Sequence, residues 1–160
     1  YKPNDDALDL LMGVINRSLL QLGLKFKIVI CGKDIPADLT TRAPANIIIA
    51  GFVDDLALYL NGSDLFLNPI TEGGGIKTKL VEALAYSLSC VSFESGAVGV
   101  PTEITGAKLL TAKDLDTASF AHQVGIALQS KNNTTPEVFF AHFNWSQISK
   151  KVVRFLNSDV

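Results

Sequence analysis

Short apolar runs that end near glycine or proline alternate with helical patterns along this chain. The runs lack the polar alternation of a strand with one wet face, so they are typical of strands buried on both faces of a parallel sheet. Strands that alternate with helices at this spacing predict an α/β fold, here a Rossmann-like, doubly wound parallel sheet in three layers. The predicted strands are Phe26–Cys31, Asn46–Ala50, Asp64–Asn68, Cys90–Phe93 and a weaker Lys108–Leu110.

Between the strands, apolar residues recur with the period of an amphipathic helix. The first helix begins near Asn4 or Asp5, either of which can cap it, and ends at Gly23. One turn of helix is expected between residues 33 and 45, and a glycine-rich loop runs from Gly96 to Pro101. The other predicted helices run from Asp54 or Asp55 to Leu60 and over Lys77–Ser87, Leu115–Leu128, Pro136–Phe143 and Trp145–Leu156.

Composition narrows the class of protein. A chain of 160 residues with 48% hydrophobic and 19% charged residues is globular, and its length predicts one domain over residues 1–160. The net charge of −2 argues against a general nucleic-acid binder. The two cysteines, Cys31 and Cys90, both fall in predicted strands, which favours buried thiols in a reducing, cytoplasmic protein. No apolar run is long enough to span a membrane, and no His/Cys cluster has metal-ligand spacing.

The order of elements suggests that one strand precedes Tyr1. A doubly wound unit opens on a strand, which is central in the common 3-2-1-4-5-6 order, whereas this chain opens on a helix. Without that strand, Phe26–Cys31 and Asp64–Asn68 would each present an unpaired edge in the middle of the sheet. We expect upstream residues or a neighbouring chain to supply it, unless the sheet closes in another order.

The segment between the third strand and the next helix carries the strongest chemical signal. Three consecutive glycines, Gly73, Gly74 and Gly75, precede Lys77 and Lys79. Glycines allow the backbone to approach a ligand closely, and a helix N-terminus with nearby lysines favours an anion such as a diphosphate. The dinucleotide fingerprint and the Walker pattern both fail here, because each requires glycines at positions that hold other residues. A flexible surface turn with solvated lysines is the alternative interpretation.

Several segments together resemble family-4 retaining glycosyltransferases of the GT-B architecture, in the right order over nearly the whole chain. The glycine segment and its helix are similar to their G-G-G-x-R/K-x-K-x-x-E-A-x-A motif, and a tryptophan often opens their last helices. The matching segments are Tyr1–Asn4 with Ala7, Gly51–Leu56, Ser63–Pro69, Gly73–Ala85, the Gly96 and Gly99–Pro101 loop, and Trp145.

This resemblance implies a donor-binding domain that takes a nucleotide-diphosphate sugar of the UDP or GDP type, with no metal or other cofactor. The three glycines, Lys77 and Lys79 are implied to hold the pyrophosphate, and Glu82 to bind the ribose hydroxyls. Transfer would retain configuration, with Lys79 and Glu72 as the implied catalytic residues. The acceptor, a sugar, lipid-linked or glycan substrate, would bind an N-terminal domain outside this chain. The chain alone is then expected to be inactive. Peripheral association of the full enzyme with the cytoplasmic face of a membrane is compatible with this resemblance.

One position departs from the family pattern. Many members carry a second glutamate eight positions before the one matched by Glu82, and this chain has Gly74 there. Glu72, displaced by two residues, is one candidate replacement, and Glu94 is another if it is not simply a solvated loop acid. Phe52 and Val53 follow the second strand. They are placed either to stack on a nucleobase or to pack against the rest of the protein. His122 and His142, in predicted late helices, are interpreted as structural.

Two other functions are compatible with these residues. One is a Rossmann-like module that binds a nucleotide sugar or phosphate without transferase activity. The other is a sugar-nucleotide epimerase of GT-B build.

Overall fold

The computed structural model describes residues 2–130, 133–144, 146, 148–150 and 153. Within that part of the chain it shows a Rossmann-like α/β fold with parallel sheets, which confirms the predicted fold class. The strands lie within one or two residues of the predicted bounds. They are β1 (Ile28–Cys31), β2 (Ile47–Gly51), β3 (Leu65–Asn68), β4 (Ser89–Phe93) and β5 (Leu109–Ala112).

The predicted helices other than the last are present before, between and after the strands. Two of them start at carboxylate caps: Asp55 accepts from the Leu58 N–H at 3.2 Å, and Asp116 accepts from the Ser119 N–H at 2.9 Å. The helices are α1 (Lys2–Leu10), α2 (Asn16–Gln21), α3 (Ala37–Arg42), α4 (Leu56–Asn61), α5 (Thr78–Ala85), α6 (Glu94–Ala97), α7 (Thr117–Gln129) and α8 (Glu137–Phe143).

Three details differ from the sequence-based expectations. The first helix begins at Lys2, and a π-helical turn over Leu11–Ile15 joins α1 to α2. Such a turn has no hydrophobic period of its own, so the apolar pattern does not predict it. Gly96 lies in the helical turn α6 rather than in an open loop, because the Asp114 carboxylate accepts from both the N–H and the hydroxyl of Ser95. The predicted last helix, including Trp145, lies largely outside the described residues.

The strands form two sheets within the described chain. β1 pairs in parallel with β2, and β3, β4 and β5 pair in parallel in that order. The alternative in which Phe26–Cys31 pairs directly with Asp64–Asn68 is therefore not formed. This strand order matches the predicted order. In both, the central position, between β1 and β3, is open.

Two apolar cores lie on opposite faces of the strands, as a three-layer fold requires. Alternate residues of β4 divide between them: Val91 and Phe93 belong to the core beneath α2 and α7, and Cys90 to the core beneath α5 and α8. The ring of Phe93 packs against the ring of Phe120 of α7 in a tilted arrangement, with ring centroids 4.8 Å apart. The first core also includes residues of both sheets, so helices rather than strand pairing hold the two sheets together.

Gly96 is placed where no side chain fits. A Cβ atom there would lie 2.6 Å from the Ile70 carbonyl oxygen and 2.7 Å from the Asn68 Nδ2 atom. We expect Gly96→Ala to lower the free energy of unfolding by about 1–3 kcal/mol, the usual cost of overpacking. Chemical denaturation monitored by circular dichroism measures it.

Gly125→Ala is the matched control, because Gly125 lies within α7 and a Cβ there meets nothing within 4 Å. Alanine favours a helix over glycine by about 1 kcal/mol, so this variant is expected to be neutral or more stable. Equal destabilisation by both substitutions would contradict the close packing at Gly96.

Candidate functional site

The glycine loop follows the carboxyl end of β3 and leads into α5. Gly73 and Gly75 have φ values of 94° and 71°, which non-glycine residues rarely adopt. Gly74 has no such constraint, and a Cβ there meets nothing within 4 Å. Gly73 and Gly75 thus allow a backbone conformation that other residues rarely adopt, and Gly74 leaves open space over the loop. No side-chain hydrogen bond caps the start of α5.

Lys77 closes this loop. Its ammonium group donates to the carbonyl oxygens of Gly73 at 2.6 Å, Gly75 at 3.1 Å and Gly74 at 3.4 Å. The lysine predicted to support a pyrophosphate therefore stabilises the loop itself in this structure. These three contacts support a role for Lys77 in ordering the loop.

Lys79 is directed away from the loop carbonyls and across to α1. Its Nζ atom donates to the Asn4 Oδ1 atom at 2.8 Å. The residue is exposed overall, but partial burial of the ammonium group lowers the pKa of Lys79, and the nearby charge of Lys77 lowers it further. An anion bound here would offset both effects. The contact with Asn4 spans 75 positions, which is why periodicity and spacing do not predict it.

A small cavity of about 220 Å³ lies above the loop. Its walls bring Glu72 together with Gly74, Lys77 and Lys79, four of the predicted site residues. Glu82 is exposed one turn further along α5 and lines the adjoining larger cavity together with Lys79. The predicted site residues thus lie around one edge of the sheet, although Glu72 and Glu82 face neighbouring cavities.

The loop is supported from below by a buried amide. The Asn68 Nδ2 atom, at the carboxyl end of β3, donates to the Ser92 Oγ atom at 2.9 Å and to the Gly96 carbonyl oxygen at 3.1 Å. Gly99, with a φ of 84°, packs so closely that a Cβ would lie 2.6 Å from the Ile76 side chain. The sequence pattern predicts no role for Asn68, whose side chain joins β3 to β4 and α6.

The remaining candidate site residues lie apart from the glycine loop and the start of α5. Glu94 is exposed at the start of α6 and lines neither cavity. Phe52 follows β2 and is 70% exposed, so its ring does not serve packing. His122 is exposed on α7, and His142 on α8 stacks edge-on against Phe143 with centroids 4.9 Å apart. Both histidines belong to helices remote in sequence from the loop.

Two features are absent from the part of the chain that the structure describes. No group of three or more His, Cys, Asp or Glu side chains is arranged to hold a metal ion. No helix there is both long and apolar enough to cross a membrane.

Comparison with known families adds an independent observation. The model for glycosyl transferases group 1 matches residues 1–130, which include the glycine loop and all five strands. The chain belongs to the group 1 glycosyl transferases. Among curated proteins, none matches the sequence. The matched range of this glycosyl transferase domain contains Asn4, Lys79 and Glu82. The residues around the glycine loop therefore all lie within the family region.

We expect Lys77→Met, which keeps the aliphatic stem, to loosen the glycine loop. Loss of the ammonium contacts, worth about 1 kcal/mol at this exposed position, should speed amide hydrogen exchange across residues 73–76 by about fivefold. Mass spectrometry of the peptide that covers the loop measures the change. Lys113→Met, at an exposed lysine after β5, is the control. Unchanged exchange in the Lys77 variant would show that the three carbonyl contacts do not hold the loop.

Proposed function

We propose that this chain is the donor-binding, C-terminal domain of a family-4-like retaining glycosyltransferase. It binds a nucleotide-diphosphate sugar and acts with an acceptor-binding domain across the intervening cleft. The observation that carries this proposal is the joint placement of the glycine loop, Lys79 and Glu82 at the carboxyl edge of the sheet. In doubly wound folds, ligands bind at that edge.

The diphosphate is assigned to the start of α5 and the glycine loop. Gly74 leaves the space for it, and the helix N-terminus directs backbone N–H groups toward a bound anion. Lys79 supplies the mobile positive charge by exchanging its bond with Asn4 for one with a phosphate oxygen. Because Lys77 neutralises the loop carbonyls, the negative ends of those dipoles do not repel the ligand.

The remainder of the donor extends from this point. Glu82, one turn along α5, accepts hydrogen bonds from the vicinal ribose hydroxyls. Glu72 shares the small cavity with Lys79 and is assigned to the donor sugar. During transfer, Lys79 and the helix N-terminus stabilise the charge that develops on the leaving diphosphate, as in other electrostatically assisted transfers. No metal is required for that role.

Binding of UDP or GDP, compared with the corresponding nucleoside, tests the proposal. In isothermal calorimetry at low salt, the diphosphate is expected to bind with a much higher affinity than the nucleoside. The affinity for the diphosphate should fall as salt is added. Equal affinity for uridine and UDP, together with equal affinity for guanosine and GDP, would exclude the assigned anion site.

Lys79→Ala should raise the Kd of the preferred diphosphate by about tenfold, equal to about 1.4 kcal/mol. Lys77→Ala should cost less, because its ammonium group binds the loop rather than the ligand. Lys79→Arg is the control: it keeps the charge, and it should keep affinity at alkaline pH. In the unmodified chain the pKa of Lys79 is lowered, so affinity falls as pH rises through that pKa. A larger effect at Lys77 would reverse the assigned roles.

Glu82→Gln should weaken binding of the ribonucleotide by about 1–2 kcal/mol, because an amide oxygen accepts hydroxyl hydrogen bonds less strongly than a carboxylate. Calorimetry with UDP and with its 2′,3′-dideoxy analogue separates this role from a general electrostatic one. The variant should bind the analogue no worse than the unmodified chain does. Glu103→Gln, an exposed acid after β4, is the matched control. Equal loss for both ligands would show that Glu82 does not contact the ribose.

A further inference from the structure

Asn4 lies in the wall of the small cavity above the glycine loop, although it is 75 positions away from Lys79 in the chain. Its Oδ1 atom accepts a hydrogen bond from the Lys79 Nζ atom at 2.8 Å, which joins the first turn of α1 to the first turn of α5. The residues assigned above to the donor all come from the segment 72–82. Asn4 is therefore a contribution to that site from a second element.

The sequence predicts a different role for Asn4, as a cap of the first helix. In the structure α1 begins at Lys2, so Asn4 lies inside the first turn and does not cap it. Asparagine is also a weak helix former, because its side chain competes with the backbone for hydrogen bonds. The hydrogen bond that the structure gives to its side chain is the one with Lys79. Contact with that lysine, rather than helix formation, is what the position of Asn4 supports.

The chemistry of the contact fixes which end of the amide faces Lys79. A lysine ammonium group has three donors and no acceptor, so it meets the amide oxygen. That oxygen carries a partial negative charge but no net charge. It orients the ammonium group and leaves its positive charge in place, whereas a carboxylate at the same position would form an ion pair with it.

The amide also favours the charged form of Lys79. Partial burial lowers the pKa of Lys79, and the nearby charge of Lys77 lowers it further. A hydrogen bond to the charged form acts in the opposite direction. The charged side chains on the elements that meet here are Lys2, Asp5, Asp6 and Asp9 on α1, Glu72 and Lys77 in the glycine segment, and Glu82 on α5.

We propose that Asn4 is a positioning residue of the donor site: its amide oxygen holds the ammonium group of Lys79 at the start of α5 until a diphosphate oxygen of the donor takes its place. This role rests on the proposed function, because it assigns the charge of Lys79 to the diphosphate. A side chain that is held in place before binding loses less conformational freedom when the ligand arrives, which favours affinity. A neutral acceptor is also readily displaced, since a charged phosphate oxygen makes the stronger hydrogen bond.

The pKa of Lys79 in the ligand-free chain tests the contact by itself. Asn4→Leu keeps the approximate size of the side chain without an acceptor, and Asn4→Asp replaces the amide by a carboxylate. Carbon-13 NMR of the lysine ε-carbons follows the titration, and the signal that is absent from Lys79→Arg identifies Lys79. The pKa of Lys79 should be lower in Asn4→Leu and higher in Asn4→Asp than in the unmodified chain. Equal values in all three chains would overturn the assigned role.

Calorimetry with UDP and GDP at neutral pH measures the consequence for the donor site. Asn4→Asp should raise the Kd of the preferred diphosphate by about tenfold, because a carboxylate pairs with Lys79 and repels the ligand. Asn4→Leu should raise it by about fivefold, the usual effect of one hydrogen bond. Asn61→Asp and Asn61→Leu, at the exposed end of α4, are the matched controls and should leave the Kd unchanged. Unchanged or tighter binding by Asn4→Leu would contradict the proposal.

The pH dependence of binding separates positioning from a structural role. Affinity falls as pH rises through the pKa of Lys79, because the ammonium group loses its charge. This fall should begin at lower pH in Asn4→Leu and at higher pH in Asn4→Asp than in the unmodified chain. General loosening of α1 by both substitutions would not move the two profiles in opposite directions. Profiles that shift the same way, or not at all, would exclude the positioning role.

Lys79→Ala provides the background that shows how Asn4 acts. Because Asn4 acts through Lys79, adding Asn4→Leu to Lys79→Ala should change the Kd by less than about twofold. A further fivefold loss in that background would overturn the proposal. Circular dichroism confirms that each variant is folded, and Asn4→Ala, with the better helix former, replaces Asn4→Leu if the latter does not fold.

The same measurements distinguish failure of this role from failure of the donor site. If Lys79→Ala binds the diphosphate as tightly as the unmodified chain does, the proposed donor site and the role of Asn4 both fail. If Lys79→Ala weakens binding but the Asn4 variants behave like the Asn61 controls, the role of Asn4 fails alone.

Discussion

The buried amide of Asn68 is the interaction on which the candidate site depends. It lies at the last residue of β3 and donates to Ser92 on β4 and to the Gly96 carbonyl in α6. These bonds join the start of the glycine loop to the neighbouring strand and turn. Because the amide is almost fully buried, breaking them would leave polar groups without water to replace the lost partners. The exposed loop above is thereby placed on a rigid base.

The two sheets depend on a different kind of contact. In the described chain they share no strand pairing, and the core beneath α2 and α7 takes side chains from both. Hydrophobic packing of this kind is not directional, so it holds the sheets near each other without setting a strand register. The register of the strands is set within each sheet, by its own parallel pairing.

Local charge at the site differs from the charge of the whole chain. The net charge is −2, yet Lys77 and Lys79 both lie at the start of α5. Their positions differ by two residues, and they reach different partners: Lys77 bonds to the loop carbonyls, and Lys79 bonds to Asn4. This division separates a lysine that contacts the backbone of its own loop from one that contacts a side chain of α1.

Within the described residues, the sequence by itself determined the strand and helix bounds to within a few residues, the place of the glycine loop between β3 and α5, and the open position beside Phe26–Cys31. These features follow from local periodicity, from glycine and proline at the ends of elements, and from the order of the elements. Only the tertiary structure decided that Asn4 contacts Lys79, that Lys77 turns back onto its own loop, and that Gly96 packs against Ile70. Contacts between residues far apart in the chain, and the choice of partner by a long flexible side chain, depend on where whole elements lie in space, and no local pattern encodes that placement.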